Sequence, residues 1–143
     1  MTYRPYSTIK ATGLEFPYTN DSGIFMPKST PIKIKLNGGI DFINVSIEND
    51  AFALGGVTSS DSDNGSSVNV VTAGRIEDIT TTFSFGDAVY ISKSGNLTNI
   101  KPSVDIGGFV SGDYIVRIGT IAKNTANPLL KDLILELALV GQL

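Results

Sequence analysis

Residues 132–140 read Asp-Leu-Ile-Leu-Glu-Leu-Ala-Leu-Val, and the class of the fold turns on them. Leu, Glu and Ala favour a helix by intrinsic propensity. The spacing favours a strand: Leu133, Leu135, Leu137 and Leu139 alternate strictly, with Asp132 and Glu136 on the other face. A period of two belongs to a strand with one covered face, whereas a helix repeats near 3.6. The segment is therefore read as a strand, and the chain as all-β.

Working outward, Gly, Ser, Thr, Asn and Asp recur every few residues between short runs rich in Ile, Val, Phe and Tyr. That pattern is one of many short strands joined by tight turns. In IKIKL (32–36), Ile32, Ile34 and Leu36 share one face and Lys33 and Lys35 the other. Asn37-Gly38-Gly39 supplies a hairpin turn, and IDFINVSI (40–47) returns. The apolar phase shifts inside that return, which predicts a β-bulge near Phe42–Ile43. Residues 55–67 are expected to be a polar loop with an Asn64-Gly65 turn. VNVVTAG (68–74), RIEDITTTF (75–83), DAVYIS (87–92) and YIVRIGTIA (114–122) complete the expected strands. Gly86-Asp87 and Gly112-Asp113 each precede an apolar strand, so that Gly turns the chain and the Asp carboxylate accepts nearby backbone N–H groups.

These elements predict a single small β-barrel or β-sandwich over 32–143, with hairpins, preceded by an extended N-terminal arm over 1–31. Pro5, Pro17, Pro27 and Pro31, with Gly13 and Gly23, break regular structure in the arm. Tyr3, Tyr6, Phe16, Tyr18 and Phe25 are nevertheless too aromatic for a solvated tail, so the arm is expected to dock, on its own domain or on a neighbouring subunit.

Composition narrows the chemistry. The 143 residues include no Cys, no His and no Trp, which removes disulfides, thiolate nucleophiles and Cys/His zinc sites. A net charge of −3 with eleven scattered Lys and Arg argues against a general nucleic-acid binder. MTYRPYSTIK lacks the apolar core of a secretory signal, and no apolar run reaches the length of a membrane span. A soluble protein without its own export signal is expected.

Candidate sites fail one by one. Ser and Thr hydroxyls have no His to activate them, and Ser92-Lys93 point to opposite faces of a strand. Glu77 and Asp78 diverge, while Asp87 and Asp113 sit where turn-capping residues sit. Asp61-Ser62-Asp63-Asn64-Gly65 resembles the start of a calcium loop but places Gly, Ser and Thr72 where the fifth, sixth and twelfth positions need Asp or Asn, Gly and Glu. Lys93-Ser94-Gly95 lacks the phosphate-loop frame and is read as an exposed hairpin turn. Asn20, Asn44, Asn64 and Asn96 begin N-x-[ST] triplets that chance explains in so Asn-, Ser- and Thr-rich a chain. No enzyme, cofactor or metal is expected.

The stretch V-x-V-V-T-A-G-R-I-E-D-I (68–79), F-x-F-G-D-A-V-Y-I-S-K-S-G-N-L-T (83–98) and V-R-I-G-T-I-A-K (116–123) resembles a module of tailed-bacteriophage virion proteins, most of all small capsid cement or decoration proteins. The resemblance implies a compact β-domain that binds the outside of the major capsid protein lattice, as a homo-oligomer and often a trimer. It implies synthesis in the host cytoplasm, residence on the outer surface of the capsid, and no catalytic residues. On this reading Tyr3, Arg4, Pro5, Tyr6, Phe16, Tyr18 and Phe25 contact the capsid or a neighbouring subunit, and neither nucleic acid nor membrane is a partner. The alternative is a tail-fibre or other virion-surface module whose loops, such as 55–67 or 101–113, bind a host glycan. A polysaccharide hydrolase is a third reading, disfavoured for want of an acid pair.

Overall fold

The computed structural model describes residues 13–143. Its nine strands are β1 (Gly13–Thr19), β2 (Pro31–Ile34), β3 (Ile40–Phe42), β4 (Leu54–Thr58), β5 (Ser67–Ile76), β6 (Ala88–Ile91), β7 (Leu97–Thr98), β8 (Tyr114–Lys123) and β9 (Lys131–Gln142), with a short helix α1 (Glu48–Phe52) before β4. All the strands pair antiparallel in one sheet, ordered β3-β2-β4-β5-β9-β8-β6-β7, with β1 off this path and paired to β5. The path is open: its ends do not hydrogen-bond to each other.

β5 joins two layers. Its first part lies between β1 on one side and β4 on the other, with Val71 opposite both Glu15 and Val57. Its last three residues, Gly74–Ile76, pair with Leu135–Leu133 of β9 on the side that β4 occupied. The alternating Val side chains of β5 therefore serve two cores. Val71 joins Val57, Val89, Ile118, Ile121 and Leu133 in the main cluster between the layers. Val68 and Val70 face the other way and pack with Met26, Ile32 and Ile40.

β9 is the strand that its alternation predicts. It pairs with β8 over nearly its whole length, with irregularities at Ile115/Val116 and Arg117/Gly119. Gly119 is required there, because a Cβ would lie 1.9 Å from the Ile134 carbonyl oxygen. Leu133 and Leu135 are buried, Leu137 packs on the edge of the main cluster, and Leu139 is exposed.

Elsewhere the elements differ from their expected bounds. β2 stops at Ile34, and only Ile32 of the expected buried face is covered; Ile34 is exposed and Leu36 protrudes fully into solvent. Gly38, with φ +87°, turns the hairpin. The return strand covers three residues instead of 40–47. The phase shift marks its end, not a bulge: the Asp41 carboxylate accepts the Phe42 N–H, Asp50 accepts the Asn44 N–H, and the chain enters α1. Of the expected 55–67 loop, residues up to Thr58 belong to β4. Conversely, RIEDITTTF is a strand only as far as Ile76; residues 77–83 are irregular, though Ile79 is buried and its N–H reaches the Lys131 carbonyl at 2.8 Å.

Candidate partner-binding surface

Tyr3, Arg4, Pro5 and Tyr6 lie outside the described residues. Phe16 and Tyr18 lie on β1, directly opposite Val70 and Val68 of β5. Those valines face the smaller core, and the Tyr18 ring packs onto it. Phe16, two residues earlier on the same strand, is 47% exposed. Phe25 is 51% exposed and follows Ile24, also exposed, while the next residue, Met26, is fully buried. Residues 13–31 thus lie along their own chain, with Leu14, Phe16, Ile24 and Phe25 facing solvent.

A polar lattice holds this presentation in place. The Asn20 side-chain amide donates to the carbonyls of Ile24 (3.0 Å) and Ser62 (3.1 Å). Met26 and Ser62 exchange backbone hydrogen bonds, 2.8 and 2.9 Å. The Gly23 N–H donates to the Asn64 side chain at 2.8 Å, and the Lys28 N–H to the Asp61 carboxylate at 2.7 Å. Asp61 and Asn64, two oxygens of the calcium-like stretch, are therefore acceptors that tie loop 59–66 to loop 20–30. Among the described residues no cluster of three Asp or Glu side chains could hold a metal ion.

Beside β2 lies a second apolar surface, an open groove of about 680 Å³ lined by Ile34, Leu36, Phe52 and Ala53 with Lys33 and Asp50. Leu36 and Phe52 project freely from it. It exists because α1 follows β3 so closely: the Lys33 ammonium meets the Asp50 carboxylate at 2.7 Å and holds the helix against β2. On the adjoining hairpin, the Asp21 carboxylate accepts from the Asn37 amide (2.7 Å) and the Lys35 ammonium (2.9 Å), which together hold it below the usual carboxylate range.

The remaining buried acids are structural staples. Asp132 is fully buried and accepts from the Arg75 guanidinium (3.0 Å), the Asp78 N–H (2.9 Å) and the Asn124 amide (3.0 Å). Burial pushes its carboxyl up, but the Asn124, Asp78 and Arg75 hydrogen bonds outweigh this and leave it below the usual carboxylate range. Asp113 behaves alike: burial raises it, while Lys93, the Val110 N–H and the Ser46 hydroxyl together lower it further. Lys93, expected to be solvated, instead places its ammonium 2.5 Å from Asp113 and 2.8 Å from the Ser46 hydroxyl. Nothing local in the sequence marks that pairing. The Gly-Asp echo, by contrast, is a true structural repeat. In both turns the Asp carboxylate accepts the N–H of the residue three before it, Ser84 or Val110, at 2.9 Å, and the preceding Gly has φ of +88° or +99°.

No protein-family model matches this chain, and a search of curated proteins finds no match.

Proposed function

We propose that this chain is a structural virion protein that decorates a tailed-phage head, binding the outside of the major capsid protein lattice and stabilising it. It acts without catalysis, as a homo-oligomer on the outer capsid surface, after synthesis in the host cytoplasm. The observation that carries the reading is the presentation of Phe16 and Phe25: their backbone is tied down by strand pairing and by the Asn20, Asp61 and Asn64 hydrogen bonds, while their rings stand in solvent. Aromatic side chains held in place lose little conformational entropy when a partner covers them, the property of interface anchors. Repetition over a lattice multiplies modest contacts through effective concentration. The resemblance of residues 68–123 to decoration proteins agrees with this use of the surface.

The test is reconstitution on heads that lack the protein. Phe16→Ala with Phe25→Ala should lower affinity at least tenfold, about 1.4 kcal/mol or more, with an unchanged melting temperature. Removing residues 1–12, which carry Tyr3, Arg4, Pro5 and Tyr6, should weaken binding as well. The cut must stop before Gly13, because residues 13–19 are a paired strand. Full occupancy by both variants would end the proposal. A dozen or fewer copies per virion would transfer the protein to the tail or a vertex, where the glycan-binding alternative applies.

A further inference from the structure

Leu36 stands in the turn between β2 and β3, wholly in solvent, so it adds no apolar burial to its own fold. The turn that carries it is nevertheless tightly held. The Lys35 N–H donates to the Gly39 carbonyl (2.8 Å), the Gly38 N–H to the Lys35 carbonyl (2.9 Å) and the Gly39 N–H to the Asn37 side chain (2.9 Å). Asp21 ties the same turn to the loop after β1 through Lys35 and Asn37. Phe52, the last residue of α1, is exposed on a helix that is also fixed. Glu48 accepts from the Tyr114 hydroxyl (2.9 Å), and Asp50 meets the Lys33 ammonium. Large apolar side chains left in water on a fixed backbone have the character of contact anchors.

We infer that this surface is a two-fold interface with a second copy of the chain, in which Leu36 of each copy enters the groove of the other. It gives the homo-oligomer proposed above its contact surface, and rests on that part of the reading alone. Two observations select a second copy as the occupant.

The first is charge. Each cation on the rim has a carboxylate of its own chain: Lys33 meets Asp50 at 2.7 Å and Lys35 meets Asp21 at 2.9 Å. Two ammoniums and two carboxylates cancel, so the rim selects neither a cationic nor an anionic partner. It is complementary to itself, because a two-fold axis can set the ammonium of one copy beside the carboxylate of the other. The chain as a whole carries a net charge of −3, which opposes self-association; on this locally neutral patch that repulsion is least.

The second is shape. Leu36 protrudes, and beside it lies the hollow bordered by Ile34, Phe52 and Ala53. An isologous contact needs a protrusion and a hollow on one and the same patch, since each copy must both give and receive.

Sedimentation equilibrium of the isolated protein tests this. The full chain should show a reversible monomer–dimer equilibrium, and Leu36→Asp with Phe52→Asp should raise the dimer dissociation constant at least tenfold. Both side chains are exposed, so the fold is preserved. Leu36→Ser alone removes the protrusion and should also weaken the dimer, which keeps the test decisive should the double variant misfold. Because the chain has no Cys, a single Asn49→Cys, on the groove lining, can be linked only to another chain. A short bis-maleimide should give a linked dimer whose yield falls on dilution and with Leu36→Ser. A monomer at every concentration, a trimer, or a dimer indifferent to these substitutions would each overturn the inference. So would a monomer that needs Leu36 to bind heads, because the groove would then belong to the capsid lattice. The dimer is measured without heads, so its absence leaves head binding through Phe16 and Phe25 standing, and failure on heads leaves the dimer standing.

Discussion

The two layers joined by β5 are stabilised by different means. The layer of β8 and β9 is built from strands of 10 and 12 residues, and the main cluster between the layers holds fifteen buried apolar residues. The smaller core on the outer side of the N-terminal layer holds five, and the strands around it are short. What it lacks in apolar burial it makes up with side chains bonded to backbone: Asn20, Asp61 and Asn64 across the two loops, and Thr58, whose hydroxyl accepts from the Thr30 N–H and donates to the Pro27 carbonyl. Apolar burial is non-directional and tolerates drift, whereas a hydrogen-bond lattice sets the position of a loop. The difference suits a layer that presents Phe16 and Phe25 at defined places.

Substitutions in the two layers should therefore fail differently. Leu133→Ala, at a fully buried site in the main cluster, should cost about 3–4 kcal/mol and lower the whole denaturation curve. Asp132→Ala, at the neighbouring position, should cost about 3 kcal/mol by leaving Arg75 and the Asp78 N–H without their acceptor. The loss should again be global in a urea titration. If Asp132→Ala proves neutral, polar staples matter less than burial even in the C-terminal layer.

The same carboxylates predict an acid response. Asp113 and Asp132 both have depressed folded-state values. Their contribution is complete above about pH 4, the unfolded-chain value, and is lost as the pH falls through their lower folded-state values. Stability measured from pH 5 to pH 2 should decline, and Asp132→Asn should flatten part of that decline.

In the N-terminal layer, Asn20→Ala should cost about 1–2 kcal/mol, and its signature should be local: faster amide exchange at Met26 and Ser62 with the β8–β9 amides unchanged. A uniform loss of protection would erase the distinction between the layers. The smallest effect is expected at the repeated turn. Gly86 and Gly112 both have positive φ with open space where a Cβ would sit, so alanine at either should cost about 1 kcal/mol from backbone strain alone. Unequal costs would show that the two turns are alike only in shape.

Much of the C-terminal layer is legible in the sequence because its strands are covered on one face along most of their length. The alternation of Leu133, Leu135 and Leu137 then reports burial directly, and β6 and β8 read equally well. Residues 32–47 defeat the same logic. Ile32, Ile34 and Leu36 alternate as cleanly as the leucines of β9, yet only Ile32 is buried. Alternation states which residues share a face; it does not state whether that face is covered. The N-terminal site residues are a mixed case: aromatic content marked Phe16, Tyr18 and Phe25, but their division into packed Tyr18 and presented Phe16 and Phe25 follows from how far the small core extends.

By itself the sequence determined the all-β class, most of the strands and both Gly-Asp turns, because each depends on residues adjacent in the chain: a period of two, or a glycine followed by a capping carboxylate. The tertiary structure alone decided that residues 13–19 are a strand of the sheet, that Lys93 belongs to Asp113 and Lys33 to Asp50, and that a groove opens beside Leu36 and Phe52. Those depend on partners twenty, seventeen or some fifty residues away, and the short-range order of a chain carries no mark of which distant segment will lie against it.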